Sequence, residues 1–266
     1  MNADKLWYAY NKFRLRKTKQ FAPAIYRALQ QQVKYYIATQ DLVNLPQQPM
    51  QEVLNEVHKE TGRQWAMQTY YGILKDAGIK HTTPLLRVKR NASFGLNEEF
   101  IQAILEFFRT DLFNTVQNIT ETTRREIRRI VEEGVQAQLS LDEIINNLLT
   151  SGITKNRAAL ISRTEVMKAS NFGEQAGADR TGLATRKEWI SVRDNRTRRD
   201  HITVDGSIVP DGKPFDVGGY LMQRPGDGTS EDGRKVPVRE IANCRCVVGR
   251  HVLRGNNGLP LRKSYT

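Results

Sequence analysis

Thr164-Glu165-Val166-Met167-Lys168-Ala169-Ser170-Asn171-Phe172-Gly173 lies in a helical stretch, whereas Lys187-Glu188-Trp189-Ile190-Ser191-Val192 has the texture of a strand. The change between them, after Gly182, decides the fold. Upstream of it Ala158, Ile161, Met167 and Ala169 recur at helical spacing from about Thr154. Downstream, short runs at 187–192, 201–204, 207–209 and 246–248 read as strands cut apart by Gly, Pro and Asp turns.

Working back from this point, Ser140-Leu141-Asp142-Glu143 reads as an N-cap followed by first-turn acids, opening a helix with Ile144, Ile145, Leu148 and Leu149 that Ser151-Gly152 ends. Residues 97–149 carry a helical period through Phe100, Ile104, Phe107, Phe108, Leu112, Val116 and Ile119. Thr120-Glu121-Thr122-Thr123 is expected to interrupt it before a further helix with Ile127, Ile130 and Val131. Residues 78–96, with Lys80, His81, Pro84, Lys89 and Arg90, form a basic, turn-prone connector. A helix from Met50 to about Ala77, with Gly78 as its cap, follows the break at Asn44-Leu45-Pro46. The first helix, 5–40, alternates Leu6, Tyr10, Phe13, Phe21, Ile25, Leu29 and Val33 with Lys12, Arg14, Arg16, Lys17 and Lys19, a basic amphipathic pattern that suits either a solvated face or a docking arm. His58 and His81 stand isolated and read as packing or surface residues.

The fold class that results is α+β: a mainly α-helical N-terminal body with a small loop-rich C-terminal module. Its expected units are 1–96, a helical region; 97–180, a helical body; 181–253, the module with a Cys-x-Cys element and scarcely any core; and 254–266, a tail. There is no internal repeat.

The 266 residues carry a formal charge of +12, which points to an acidic partner, whether nucleic acid, an anionic membrane or an acidic protein surface, without choosing among them. No uncharged apolar run approaches the length of a spanning helix, and charge appears at once in Met1-Asn2-Ala3-Asp4-Lys5, so a soluble protein that is not exported is expected, with no membrane partner. The two cysteines, Cys244 and Cys246, are one residue apart, too close for a scaffold disulfide and suited to synthesis in a reducing cytoplasm.

In extended chain those two sulfurs point to one face. With His201 as a third ligand they form a partial zinc signature, for which Asp194, Asp205 or His251 could supply a fourth donor; the alternative is two plainly buried thiols. His201 with Asp194, Asp200, Arg196 and Arg199 could also serve a metal-dependent nuclease or phosphoryl-transfer site. No Walker loop, Gly-x-Ser-x-Gly or His-Glu-x-x-His sequence accompanies them, and the charged residues read better as pairs that hold turns together. Arg163 and Glu165 are expected to pair with the module and lock their helix onto it. Arg124, Arg125, Arg128 and Arg129 place two arginine pairs on one helical face, a non-specific phosphate-binding patch diluted by Glu121, Glu126, Glu132 and Glu133.

The ordered set Arg163-Thr164-Glu165, Asn171, Lys187, Trp189, Asp194, Arg196-Thr197-Arg198, His201, Asp205-Gly206, Phe215, Pro225-Gly226-Asp227 and Asn243-Cys244-Arg245-Cys246 resembles the C-terminal domain of phage head morphogenesis proteins similar to protein F of phage Mu, over roughly 140–250. The resemblance implies a minor head protein of a tailed phage, located in the virion at the head interior or portal vertex. It implies the portal protein and a major capsid or scaffolding protein as partners, non-specific contact with double-stranded DNA, and no enzymatic activity. Arg163, Glu165, Asn171, Trp189, Asp194, Arg196, Arg198, Asp205, Gly206 and Asn243 are then expected as a structural polar core. Some relatives carry a toxin or enzyme domain beyond the Cys-x-Cys element, for which the residues after it here are too few. The rival readings are the nuclease centred on His201 and a host- or prophage-encoded DNA-binding module.

Overall fold

The computed structural model describes residues 2–79, 94–151 and 153–263. Its order is five helices, then a small β-rich part interrupted by two short helices. Helix α1, Ala3–Thr39, starts where the Asn2 side chain accepts from the Lys5 amide at 2.9 Å and ends at Gln40 in the left-handed region. Its buried positions Tyr10, Phe13, Phe21, Ile25, Leu29 and Val33 are those of the sequence period. Helix α2, Gln48–Asp76, opens on Pro49 in its first turn, where a missing N–H costs nothing, and gives way to Gly78 at φ +78°.

Helix α3 spans Phe94–Gln136 without the interruption expected at 120–123. The threonines there bond within the helix, Thr122 to the Asn118 carbonyl at 2.8 Å and Thr123 to that of Ile119 at 3.0 Å, while Thr120 accepts from Gln32 of α1. Tertiary packing outweighs their weak helix preference. Helix α4, Leu141–Thr150, carries the full capping box between Ser140 and Glu143. The connector reading at 80–93, His81 included, and Gly152 lie outside the described residues.

Helix α5, Ile153–Arg180, packs hardest against α2. A Cβ on Gly173 would strike the Gly62 carbonyl, and one on Gly177 the Ala66 carbonyl, well inside van der Waals contact. The two backbones therefore touch at a pair of sites four residues, or one helical turn, apart.

Beyond α5, strand β1, Thr185–Ile190, is central in an antiparallel sheet of order β2-β1-β5, with β2 at Ile208–Pro210 and β5 at Val247–Val252. Strands β3, Phe215–Val217, and β4, Tyr220–Met222, form a hairpin. The run 201–204 is not a strand: Arg199–Thr203 is the short helix α6, with the Ile202 amide bonded to the Arg198 carbonyl at 2.9 Å. A second short helix, α7, covers Val238–Ile241.

Nor does this part lack a core. Trp189, Val204, Phe215, Val217, Met222, Val236, Cys244, Cys246 and Val248 are buried together, with Met167 of α5 among them. Tyr10 and Phe13 of α1, Trp65 of α2, Ile190 and Val247 make a second shared cluster. Each buried aromatic side chain contributes about 2–3 kcal/mol, so the helices are the floor on which the sheet is built.

Candidate metal centre and its polar frame

α7 positions the first cysteine. Its last residue, Ile241, accepts the Cys244 amide at 3.2 Å, and the chain then runs extended through Cys246 into β5. Alternation sends Cys244 and Cys246 to the inner face and Arg245 to the outer one. There Arg245 donates to both carboxylate oxygens of Asp194 at 2.6 Å, holding that acid well below its ordinary range.

On the inner face both sulfurs meet the same imidazole nitrogen. His201 Nδ1 is 3.6 Å from Cys244 Sγ and 3.3 Å from Cys246 Sγ. All three side chains are buried, and their ligand atoms lie within 4.8 Å of one another. Hydrogen bonding from Cys246 pulls the Cys244 thiol well below its usual value, with burial opposing and His201 assisting. The same bond and burial push Cys246 up. Trp189 stands edge-on to His201 at 5.6 Å and to Phe215 at 5.4 Å. Behind the imidazole, Nε2 lies 3.4 Å from the Glu240 carboxylate of α7, a distance of attraction without hydrogen-bond alignment. Glu240, too, is buried.

The other candidate ligands are engaged elsewhere. Asp205 accepts from the Ser191 amide at 2.7 Å and pairs with Arg193, while His251 bonds Glu188 at 2.8 Å. Asp194 is turned to Arg245, so it neither completes a metal set nor forms an acid–base pair with His201.

Around this centre the expected polar core divides. Asn171 joins helix to strand: its amide donates to the Cys246 carbonyl at 3.2 Å and its oxygen accepts from the Val248 amide at 3.3 Å. Asn243 adopts φ +57° and gives its amide to Thr164 Oγ1 at 3.0 Å. Gly206, at φ +76°, returns its amide to the Trp189 carbonyl at 2.8 Å. Arg198 donates to the Ala242 carbonyl, and Arg196 lies 3.6 Å from Asp194 with its side chain largely exposed.

Glu165 does not face the module as expected. It accepts from His58 of α2 at 2.8 Å and lies 3.5 Å from Lys168, which pairs in turn with Asp111 of α3. Burial pushes its carboxyl up, but Lys168 and His58 outweigh that and hold it at about 2. Arg163 is half-buried, and its Nε has no hydrogen-bond partner among the described residues. The lock between α5 and the sheet is instead Glu174 with Arg250, joined to Asp211, together with Asn171.

Between α3, α5 and the 224–229 segment a cavity of about 340 Å³ is lined by Phe107, Phe108, Lys168, Phe172, Arg224 and Asp227. The Arg224 guanidinium sits over Phe107 and Phe172 at 5.2 and 5.3 Å. No residue of the Cys-His centre lines it. Of the four arginines clustered at 124–129 in α3, Arg124 is tied to Glu121 and to the carbonyls of Leu42 and Val43, and Arg129 to Glu126 and Glu133. Arg125 and Arg128 are exposed and, among the described residues, in no ion pair.

The stretch from the middle of α3 to β5 also matches a known family. Residues 125–249 match the family model described as Phage Mu protein F like protein. Through these residues, just under half of the chain, it is similar to the Phage Mu F like family. The match takes in Trp189, His201 and Cys-x-Cys, and ends within β5, so the Phage Mu F like region contains the entire Cys-His centre and the Glu174 side of the lock but not α1 or α2. It is a family of phage head proteins. No curated protein and no solved structure matches the chain. No helix among the described residues is long and apolar enough to cross a membrane.

Proposed function

We propose that this Phage Mu F like chain is a minor head protein of a tailed phage, which joins the portal vertex during procapsid assembly and contacts the packaged DNA. The family match over 125–249 carries this reading. The +12 charge supports contact with DNA, since a protein enclosed with densely packed phosphate gains by offsetting its repulsion. Arg125 and Arg128 are the α3 cations free to reach phosphate, and binding through them is independent of base sequence.

The role is structural rather than catalytic. The nuclease reading needs His201 beside Asp194 and open to substrate. It is disfavoured by an imidazole only 1% exposed and an acid held by Arg245. Purified virions analysed by quantitative mass spectrometry test the proposal. The chain should be present in far fewer copies than the major head protein. Its absence from virions and procapsids alike would overturn it.

A further inference from the structure

We propose that His201 Nδ1 and the sulfurs of Cys244 and Cys246 bind one Zn²⁺ ion, with Glu240 holding the imidazole from its far side. The spacing fits before any movement. Tetrahedral zinc with Zn–S near 2.3 Å and Zn–N near 2.0 Å separates nitrogen from sulfur by about 3.5 Å. Here the two separations are 3.6 and 3.3 Å.

The donor set and its surroundings select the ion. Two thiolates and an imidazole suit Zn²⁺ over Mg²⁺ or Ca²⁺, which take oxygen. Zn²⁺ with two thiolates and a neutral histidine carries no net charge, and a neutral unit is what the apolar core around Trp189, Phe215 and Met222 can accommodate. Two inert buried thiols would have no reason to converge on one polar nitrogen.

Glu240 supplies an independent observation. His201 Nε2 and a Glu240 oxygen are buried, 3.4 Å apart and unsatisfied. With Nδ1 on the metal, Nε2 must carry the proton, and a small rotation of the ring aims that N–H at the carboxylate. This is the carboxylate–histidine–zinc arrangement that fixes tautomer and orientation. Glu240 is a positioning residue, since it lies on the side of the ring opposite the sulfurs. The fourth position falls to a donor outside the described His, Cys, Asp and Glu side chains, such as water.

The ion would tie α6, of five residues, to α7, of four, and to the start of β5. Helices this short do not persist alone, so the ion acts as a staple for the loop-rich side of the sheet.

The test uses the full chain, expressed with zinc and purified without chelator, and the Co²⁺-exchanged protein. About one zinc per chain, with a thiolate-to-cobalt charge-transfer band and strong tetrahedral d–d absorption, is expected. Cys246→Ser should lose that band. Glu240→Gln keeps all three ligands and should bind zinc roughly 10–100-fold more weakly, measured by chelator competition. Less than about a tenth of an equivalent of zinc in the folded wild-type chain, with no cobalt–thiolate band, would overturn the site. Unchanged zinc affinity in Glu240→Gln would overturn the part given to Glu240.

Discussion

Glu174 of α5 and Arg250 of β5 form a buried bidentate pair, at 2.7 and 3.0 Å, although 76 residues separate them in the chain. Arg250 is held further by Asp211, the Gln175 side chain at 2.8 Å and Thr185, so its donors are met from both helix and sheet edge. Burial pushes the Glu174 carboxyl up against the pull of Arg250.

Removing one partner leaves the other charge buried. Glu174→Ala should therefore cost about 3–5 kcal/mol in denaturant unfolding, and Arg250→Met in the Glu174→Met background should recover much of it. Equal stability of Glu174→Ala and wild type would show that the pair does not hold the sheet to α5.

Glu165 predicts acid sensitivity with a definite sign. Its folded pKa, about 2, is below the ordinary carboxylate value of 4.5, so the stability it contributes is fully present above pH 4.5 and is lost as pH falls from there toward 2. The shift corresponds to roughly 3 kcal/mol. Glu165→Gln should be less stable than wild type at neutral pH, and the gap should close across that window. Urea midpoints measured from about pH 6 to about pH 2 read it directly.

Two glycines make a matched comparison. Gly173→Ala forces a methyl into the Gly62 carbonyl and should destabilise the α2–α5 contact by on the order of 3 kcal/mol. Gly72→Ala, in the same pair of helices, meets nothing within 4 Å and should stabilise by about 0.5–1 kcal/mol. Thermal melts of the two variants should move in opposite directions.

These contacts also mark what can be read from the chain. Helices α1, α2, α4 and α5 follow from period, caps and breakers, because those signals are local. The convergence of His201 on Cys244 and Cys246 is also readable, since strand alternation puts both sulfurs on one face. Glu240 is not, because it reaches His201 through the fold of α7. The partner of Glu165 escapes for the same reason: His58 lies 107 residues away, and nothing near either residue names the other. At Thr120–Thr123, propensity points to a break that the Gln32 contact and in-helix hydroxyl bonds override. The strand expected at 201–204 fails because a short apolar run carries no period long enough to tell strand from helical turn.

DNA binding should follow the free arginines. Replacing both Arg125 and Arg128 with Gln should reduce the slope of log affinity against log salt by about 2, in line with roughly 0.9 for each phosphate no longer neutralised. Replacing Arg129, already paired with Glu126 and Glu133, should change it less. Fluorescence anisotropy with unrelated duplexes across a salt series measures both, and identical slopes for all variants would remove α3 from the DNA interface.

The proposed assembly at the portal vertex is tested by the content of procapsids assembled with and without the portal protein. The chain should co-sediment with portal-containing procapsids and be missing from portal-less shells of the same size. Equal amounts in both would contradict it.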